Sequence, residues 1–162
     1  MGDLTIETLK EIGLKATPQR QAILRVLNGN KNHPSADSIH REILKEYPGI
    51  SFATVHSTLS KLAKAGKIRE LDIDPNKKRF DPCTALHYHF YCRDCGKVFD
   101  VACDAILITL NQVDAKTIDG HLVDMIQLNF KGVCKDCAGK GPEFNSTLGP
   151  VLLGGQGTTI SK

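Results

Sequence analysis

Two cysteine pairs, Cys92-Arg93-Asp94-Cys95 and Cys134-Lys135-Asp136-Cys137, are the residues best spaced to do chemistry. Each pair holds two thiolates across a tight turn, so both sulfurs can reach one ion. Two such pairs complete a tetrahedron with no open position, the pattern of a structural Zn2+. Such a site would staple the end of the chain to an earlier strand and couple folding to metal. The competing chemistry, a thioredoxin-like redox pair, needs a CxxC that opens a helix after a strand in a βαβ unit, and neither pair is expected to do so. The other two of the six cysteines, Cys83 and Cys103, have no partner at ligand spacing and read as packed or exposed free thiols.

A second set is scattered: His33, Asp81, His87, His89 and Asp100. His87 and His89 are two apart on an expected strand, so they share a face. Asp100 comes near that face if the chain pairs as a hairpin around the first CxxC. Three imidazoles and two carboxylates suit Fe2+ or Mn2+, and Zn2+ less uniquely. The spacing alone is equally compatible with a surface strand and a loop histidine. His40 is expected to be a solvated helix residue and His121 a loop residue.

These residues need elements to carry them. Four helices fill the first half. One runs from about Leu4 to Ile12 and ends at Gly13. A second opens at Thr17-Pro18, a cap followed by proline at the first helical position. A third opens at Ser35 and ends before Pro48. The fourth is capped by Ser51, closes at Gly66, and buries a stripe of Phe52, Val55, Leu59 and Leu62. Helices three and four, joined by a tight Pro48-Gly49 turn, have the form of a helix-turn-helix. Its recognition face would offer Thr54, His56, Ser57 and Lys61 to base edges and phosphates of double-stranded DNA. A hairpin of 67–73 and 77–81 forms a wing with Lys77, Lys78 and Arg79 at its tip. The second half reads as strands at 87–92, 97–101 and 123–130 around a helix at 104–113. That unit of about 55 residues is too small to be secure without zinc or dimerisation. The fold class is therefore α+β: an N-terminal winged helix-turn-helix (1–82) and a small C-terminal α/β dimerisation unit with structural zinc (83–138). Residues 139–162 lose periodicity and read as a disordered tail, compatible with a vector remnant.

Composition sets the class. The 162 residues are 41% hydrophobic and 24% charged, as in an ordinary globular protein. No apolar run reaches the roughly 18 residues of a membrane span, and the acidic, amphipathic N-terminus is no signal peptide. A cytoplasmic protein with no membrane partner is expected. The net charge of +3 is uneven: residues 1–80 carry 14 Lys and Arg against 9 Asp and Glu, whereas 81–162 carry 7 against 9. A basic half beside a mildly acidic one fits a nucleic-acid reader joined to a sensing module.

In this order the motifs resemble the ferric uptake regulator (Fur) family. The resemblance rests on TPQR-AIL, HPSAD, ATVHSTLSKL, RFD, HYHFYCRDCGKV-D and GVCKDC, and covers about residues 12–138. It implies a homodimeric winged-helix repressor of an operator, with structural zinc at Cys92, Cys95, Cys134 and Cys137. It also implies a regulatory iron or manganese site at His33, Asp81, His87, His89 and Asp100. Asp100, with no histidine among 124–127, resembles the peroxide-sensing (PerR) branch. In that branch iron at the regulatory site reacts with hydrogen peroxide and oxidises a ligand histidine, by position His33 or His87. His56 departs from the family, which usually has a DNA-touching tyrosine there.

The expected function is thus metal-dependent repression that responds to peroxide. The alternative is a repressor that senses iron or manganese level reversibly through the same site. Two histidines and a carboxylate also make the facial triad of non-haem iron enzymes. Five ligands would leave few positions for a substrate, and no pocket motif accompanies them, so no enzyme and no small organic substrate is expected. A zinc-stapled dimerisation protein that does not bind DNA is the remaining class.

Overall fold

The computed structural model describes residues 3–85, 87–101, 117–118, 121–122 and 128–139. The expected helix at 104–113, Cys103 and the tail from 140 onward lie outside the described residues.

Four helices come first: α1 (Ile6–Glu11), α2 (Pro18–Leu27), α3 (Ala36–Leu44) and α4 (Phe52–Lys64). Their starts follow from caps. Thr17, Ser35 and Ser51 are extended, and each side-chain oxygen accepts a hydrogen bond from the backbone N–H three residues on. This satisfies donors that the first helical turn leaves free. α1 stops at Gly13, whose φ of +71° only glycine adopts without strain. One core binds the four helices, with Leu9, Ile23, Leu27, Ile39, Val55, Leu59 and Leu62 at 0% exposure.

Phe52 departs from the expected α4 stripe: it is 42% exposed. The periodicity from Val55 onward correctly identifies the buried face, but the first helical residue lies beyond the edge of that core. Thr58 takes an inward position instead, its hydroxyl donating to the Thr54 carbonyl at 2.7 Å.

The wing is shorter than expected, with β1 (Arg69–Leu71) and β2 (Arg79–Asp81) paired antiparallel as Arg69↔Asp81 and Leu71↔Arg79. The second sheet holds β3 (Tyr88–Cys92), β4 (Val98–Val101) and β7 (Asn129–Gly132) in the order β4-β3-β7. β3 runs antiparallel to β4 and parallel to β7. Of the expected last strand at 123–130, residues 123–127 are outside the described residues, and β7 covers Asn129–Gly132. Two-residue strands β5 (Thr117–Ile118) and β6 (His121–Leu122) pair with each other, so His121 lies on a strand and not in a loop. A four-residue helix, α5 (Lys135–Ala138), closes the described chain.

A second hydrophobic cluster joins the two sheets: Leu71 and Ile73 from the wing pack with Tyr91 and Val98 from β3 and β4. Among the described residues no helix is long and apolar enough to cross a membrane.

Candidate metal centres

The β3–β4 hairpin contributes residues to both groups that could hold a metal ion. Its turn is Cys92–Cys95, closed by the Gly96 N–H on the Cys92 carbonyl at 2.8 Å, with Gly96 at φ +67°. β7 brings in the second pair. Cys92 lies opposite Gly132 in the parallel register, and the Arg93 N–H donates to the Gly132 carbonyl at 2.8 Å. The backbone passes close to Phe90 there: a Cβ at Gly132 would stand 3.2 Å from the Phe90 ring, which would have to shift. Cys134 then stands at the N-cap of α5, which closes the described chain and is not the helix of a βαβ unit. That helix is one turn long, and its cysteines face the other pair.

The four sulfurs lie within 4.8 Å of one another. Sulfurs about 2.3 Å from a shared tetrahedral zinc stand about 3.8 Å apart, and Cys95 Sγ and Cys134 Sγ are 3.8 Å apart. The Cys134 N–H donates to Cys92 Sγ at 3.3 Å. Burial pushes the Cys92 thiol up, but this amide and those of Cys95 and Asp94 outweigh it and bring the group down to about 6. Contact with Cys134, burial and the other two sulfurs push Cys137 up to about 12. Four thiol donors at this mutual spacing fit zinc.

The same hairpin aligns the second centre. His89 pairs directly with Asp100 across β3 and β4, and His87 precedes β3 by one residue on the same face. The His87 ring Nδ1 lies 2.9 Å from the Ala85 carbonyl, which can only accept. Nδ1 therefore donates to that carbonyl, and Nε2 faces Asp81 and Asp100. Asp81 ends the wing and accepts the Cys83 N–H through Oδ1 at 2.8 Å. Its Oδ2 stands 3.0 Å from His87 Nε2 and 3.3 Å from His89 Nε2. His33 enters from the loop before α3, with Nε2 2.8 Å from Asp100 Oδ1. His33, His87, His89 and Asp100 form a mutually close group within 4.8 Å, and Asp81 joins it through His87 and His89.

His89 Nε2 is hydrogen-bonded to Asp81 Oδ2 at 3.3 Å, but other ring nitrogens of the cluster stand free as ligand donors. His33 is wholly buried, yet neither of its ring nitrogens has a hydrogen-bond partner, and His87 Nε2 has none either. The short His33–Asp100 contact is not directed as a hydrogen bond. The donor atoms of His33, His87, His89 and Asp100 are close enough to share one ion. Burial, opposed by the carboxylates of Asp100 and Asp81, holds His33 below the usual histidine range, so its imidazole is neutral and able to ligate. Burial pushes the Asp81 carboxyl up, but His89, the Cys83 amide and the nearby His33 and His87 hold it below its ordinary value. Three imidazoles and two carboxylates suit Fe2+ or Mn2+. Asp100 is the open side of the cluster, with its side chain 42% exposed.

His33 also has φ +48° and is followed by proline. A non-glycine residue held there costs about 1–3 kcal/mol and persists where surrounding structure imposes it.

The expected DNA-facing residues are scattered by exposure. His56, Ser57 and Lys61 are exposed on α4, and Lys77 and Lys78 on the wing. Thr54 is half-buried, with its hydroxyl 2.9 Å from Ser51 Oγ. Lys78 pairs with Glu70, whereas Lys61 and Lys77 have no ion-pair partner among the described residues. His40 is no solvated residue: its Nε2 donates to the Ile50 carbonyl at 3.0 Å, and its ring meets Phe52 edge-on. It ties α3 to the turn before α4. Cys83 is half-buried. Arg79, expected at the basic tip of the wing, turns inward and is only 13% exposed along its side chain. The Asp74 to Arg79 spacing across the wing turn is the one sequence signal that could have revealed this.

Comparison with known proteins agrees with these features. The model of the ferric uptake regulator family matches residues 11–126. The peroxide operon regulator of Bacillus subtilis is 37% identical over 137 residues, spanning 83% of this chain and 92% of that protein. The ferric uptake regulator Fur of Helicobacter pylori superposes with a TM-score of 0.68 at 26% identity, covering 85% of this chain and 97% of that one. The peroxide stress regulator of Campylobacter jejuni superposes with a TM-score of 0.61 at 32% identity, covering 83% and 99%. With this match over most of its length, the chain belongs to the ferric uptake regulator family.

Proposed function

We propose that the protein is a homodimeric, metal-dependent transcriptional repressor whose DNA binding is released by hydrogen peroxide. In this reading residues 1–82 bind operator DNA and residues 83–138 dimerise and sense metal. The observation that carries it is the joint origin of one donor set. His33 comes from the loop before α3, Asp81 from the wing, and His87, His89 and Asp100 from the β3–β4 sheet. An ion shared by these groups binds best when wing, hinge and sheet hold one arrangement, and so shifts the population toward it. A tenfold shift requires about 1.4 kcal/mol of differential affinity.

Zn2+ at the four cysteines would be a closed staple, without a role in sensing. Fe2+ at the second centre would supply the electrons for peroxide reduction beside the ligand imidazoles. His33 and His87 would be the oxidisable groups. Both have unpartnered nitrogens aimed into the centre, and oxygen added to either ring would spoil it as a ligand and free the wing. Support comes from the peroxide-related names of two of the relatives and from the three functional metal binding sites of the Helicobacter pylori protein. His56, Ser57 and Lys61 with the wing lysines form the proposed DNA face.

The test is to load the protein with Fe2+ without oxygen, add peroxide, and follow operator binding and peptide masses together. Loss of binding with one oxygen gained on His33 or His87 supports the reading. Retained binding with both histidines unmodified overturns it and favours a reversible iron or manganese sensor.

A further inference from the structure

Arg79 bridges three segments of the chain that the metal reading needs held together. Its Nε and Nη2 lie 2.9 Å and 2.7 Å from Asp74 Oδ2. Nη2 also donates to the Gly96 carbonyl at 2.8 Å, and Nη1 to the His33 carbonyl at 3.4 Å. Gly96 closes the cysteine turn. His33 is the strained ligand before α3. Asp74 starts the wing turn and is itself fixed by the Asn76 N–H at 3.0 Å. Next along β2, the Phe80 N–H donates to the Pro34 carbonyl at 2.9 Å. β2 therefore grips two successive carbonyls, His33 and Pro34, and then delivers Asp81.

We propose that Arg79 is a positioning residue for the regulatory centre, transmitting the rigidity of the cysteine turn to the backbone of His33. The inference rests on the reading of His33, Asp81, His87, His89 and Asp100 as a metal site. Its physical basis is the guanidinium fork. Only arginine carries five donors in a fixed plane, able to serve a carboxylate and two carbonyls in different directions. Lysine at this position would keep the charge opposite Asp74 but could not span from Gly96 to His33. The strain at His33 has to be imposed from outside, and Arg79 is the side chain that holds its carbonyl. The apolar contact of Leu71 and Ile73 with Tyr91 and Val98 brings wing and sheet together but makes no hydrogen bond to the His33 carbonyl. Arg79 therefore governs angle where that cluster governs proximity.

The expected effect is that of removing a group that orients a ligand, roughly 10- to 100-fold in metal affinity. Mn2+ binding to the zinc-containing full chain, measured by electron paramagnetic resonance of the free ion, is compared for wild type, Arg79→Ala, Arg79→Lys and Asp74→Asn. Lys67→Ala, which removes the remote pair with Glu11, is the control. The proposal predicts weakened Mn2+ binding and a broadened bound spectrum in both Arg79 variants, with zinc content unchanged and no rescue by lysine. Asp74→Asn, which leaves arginine in place but less well aimed, should fall between. If Arg79→Ala does not fold, Arg79→Lys and Asp74→Asn carry the test. Wild-type Mn2+ affinity in Arg79→Lys, with only the melting temperature lowered, overturns the proposal and makes Arg79 a structural tie. Absence of Mn2+ binding in the wild type instead overturns the metal reading itself, and the proposal with it.

Discussion

His89 stands directly opposite Asp100 in the β3–β4 ladder, and the turn that closes this ladder is Cys92–Cys95. One hairpin thus carries two of the four clustered cysteines at its tip and two donors of the proposed second centre along its length. Because strand side chains alternate, a slip of one residue in this pairing would send Asp100 to the other face. The clamp fixes the register on which the second centre depends.

This dependence runs one way. Cys134→Ser should remove zinc and, with it, Mn2+ binding at the second centre. Asp100→Ala should abolish Mn2+ binding and leave one zinc per chain. Elemental analysis of both variants after dialysis against Mn2+ checks the asymmetry. Structural zinc contributes on the order of 10–16 kcal/mol in small domains, so the cysteine variant should also lose the cooperative melting of its C-terminal unit.

The Asp74–Arg79 pair predicts a pH dependence. Burial pushes the Asp74 carboxyl up, but the Asn76 amide, Arg79 and Lys77 outweigh it and hold the group below its ordinary value of 3.8. Folded protein then gives up this proton more readily than unfolded chain. The stability it contributes is complete above that value and drains away as pH falls through the lower folded value. Urea unfolding across pH 3 to pH 7 should show Asp74→Asn less stable at neutral pH by about 1–3 kcal/mol, with a shallower loss toward acid.

Leu59 and Phe52 both lie on α4 and were alike in the sequence pattern. Leu59 is at 0% exposure and Phe52 at 42%. Leu59→Ala should cost about 2–5 kcal/mol. Phe52→Ala should cost under about 1 kcal/mol, its main loss being the edge contact with His40. Thermal unfolding of the two variants reads the difference directly.

Phosphate contacts should separate the lysines. Lys61→Glu and Lys77→Glu should each weaken operator binding and flatten its salt dependence by about one unit of slope. Lys78→Glu should do less, because Lys78 already pairs with Glu70. Fluorescence anisotropy against salt concentration gives the slopes.

Much of this was legible from residue order. Caps at Thr17, Ser35 and Ser51 marked helix starts, because a free N–H donor and a short polar side chain form a local relation. The two CxxC pairs and the shared face of His87 and His89 followed from turn and strand geometry. What escaped were relations set by distant packing. Arg79 looked like a wing cation because nothing near it in sequence announces the Gly96 and His33 carbonyls. His40 looked solvated because its acceptor, the Ile50 carbonyl, belongs to the following turn. Phe52 obeyed the helical period but fell past the edge of the core.

The central claim is that His33, Asp81, His87, His89 and Asp100 form a metal site separate from the cysteine clamp. Anomalous diffraction at the manganese edge, from crystals of zinc-containing protein equilibrated with Mn2+, tests it most directly. The account predicts one manganese peak enclosed by those five side chains and none among Cys92, Cys95, Cys134 and Cys137. A map with no manganese among the five, or with manganese among the cysteines, would contradict it.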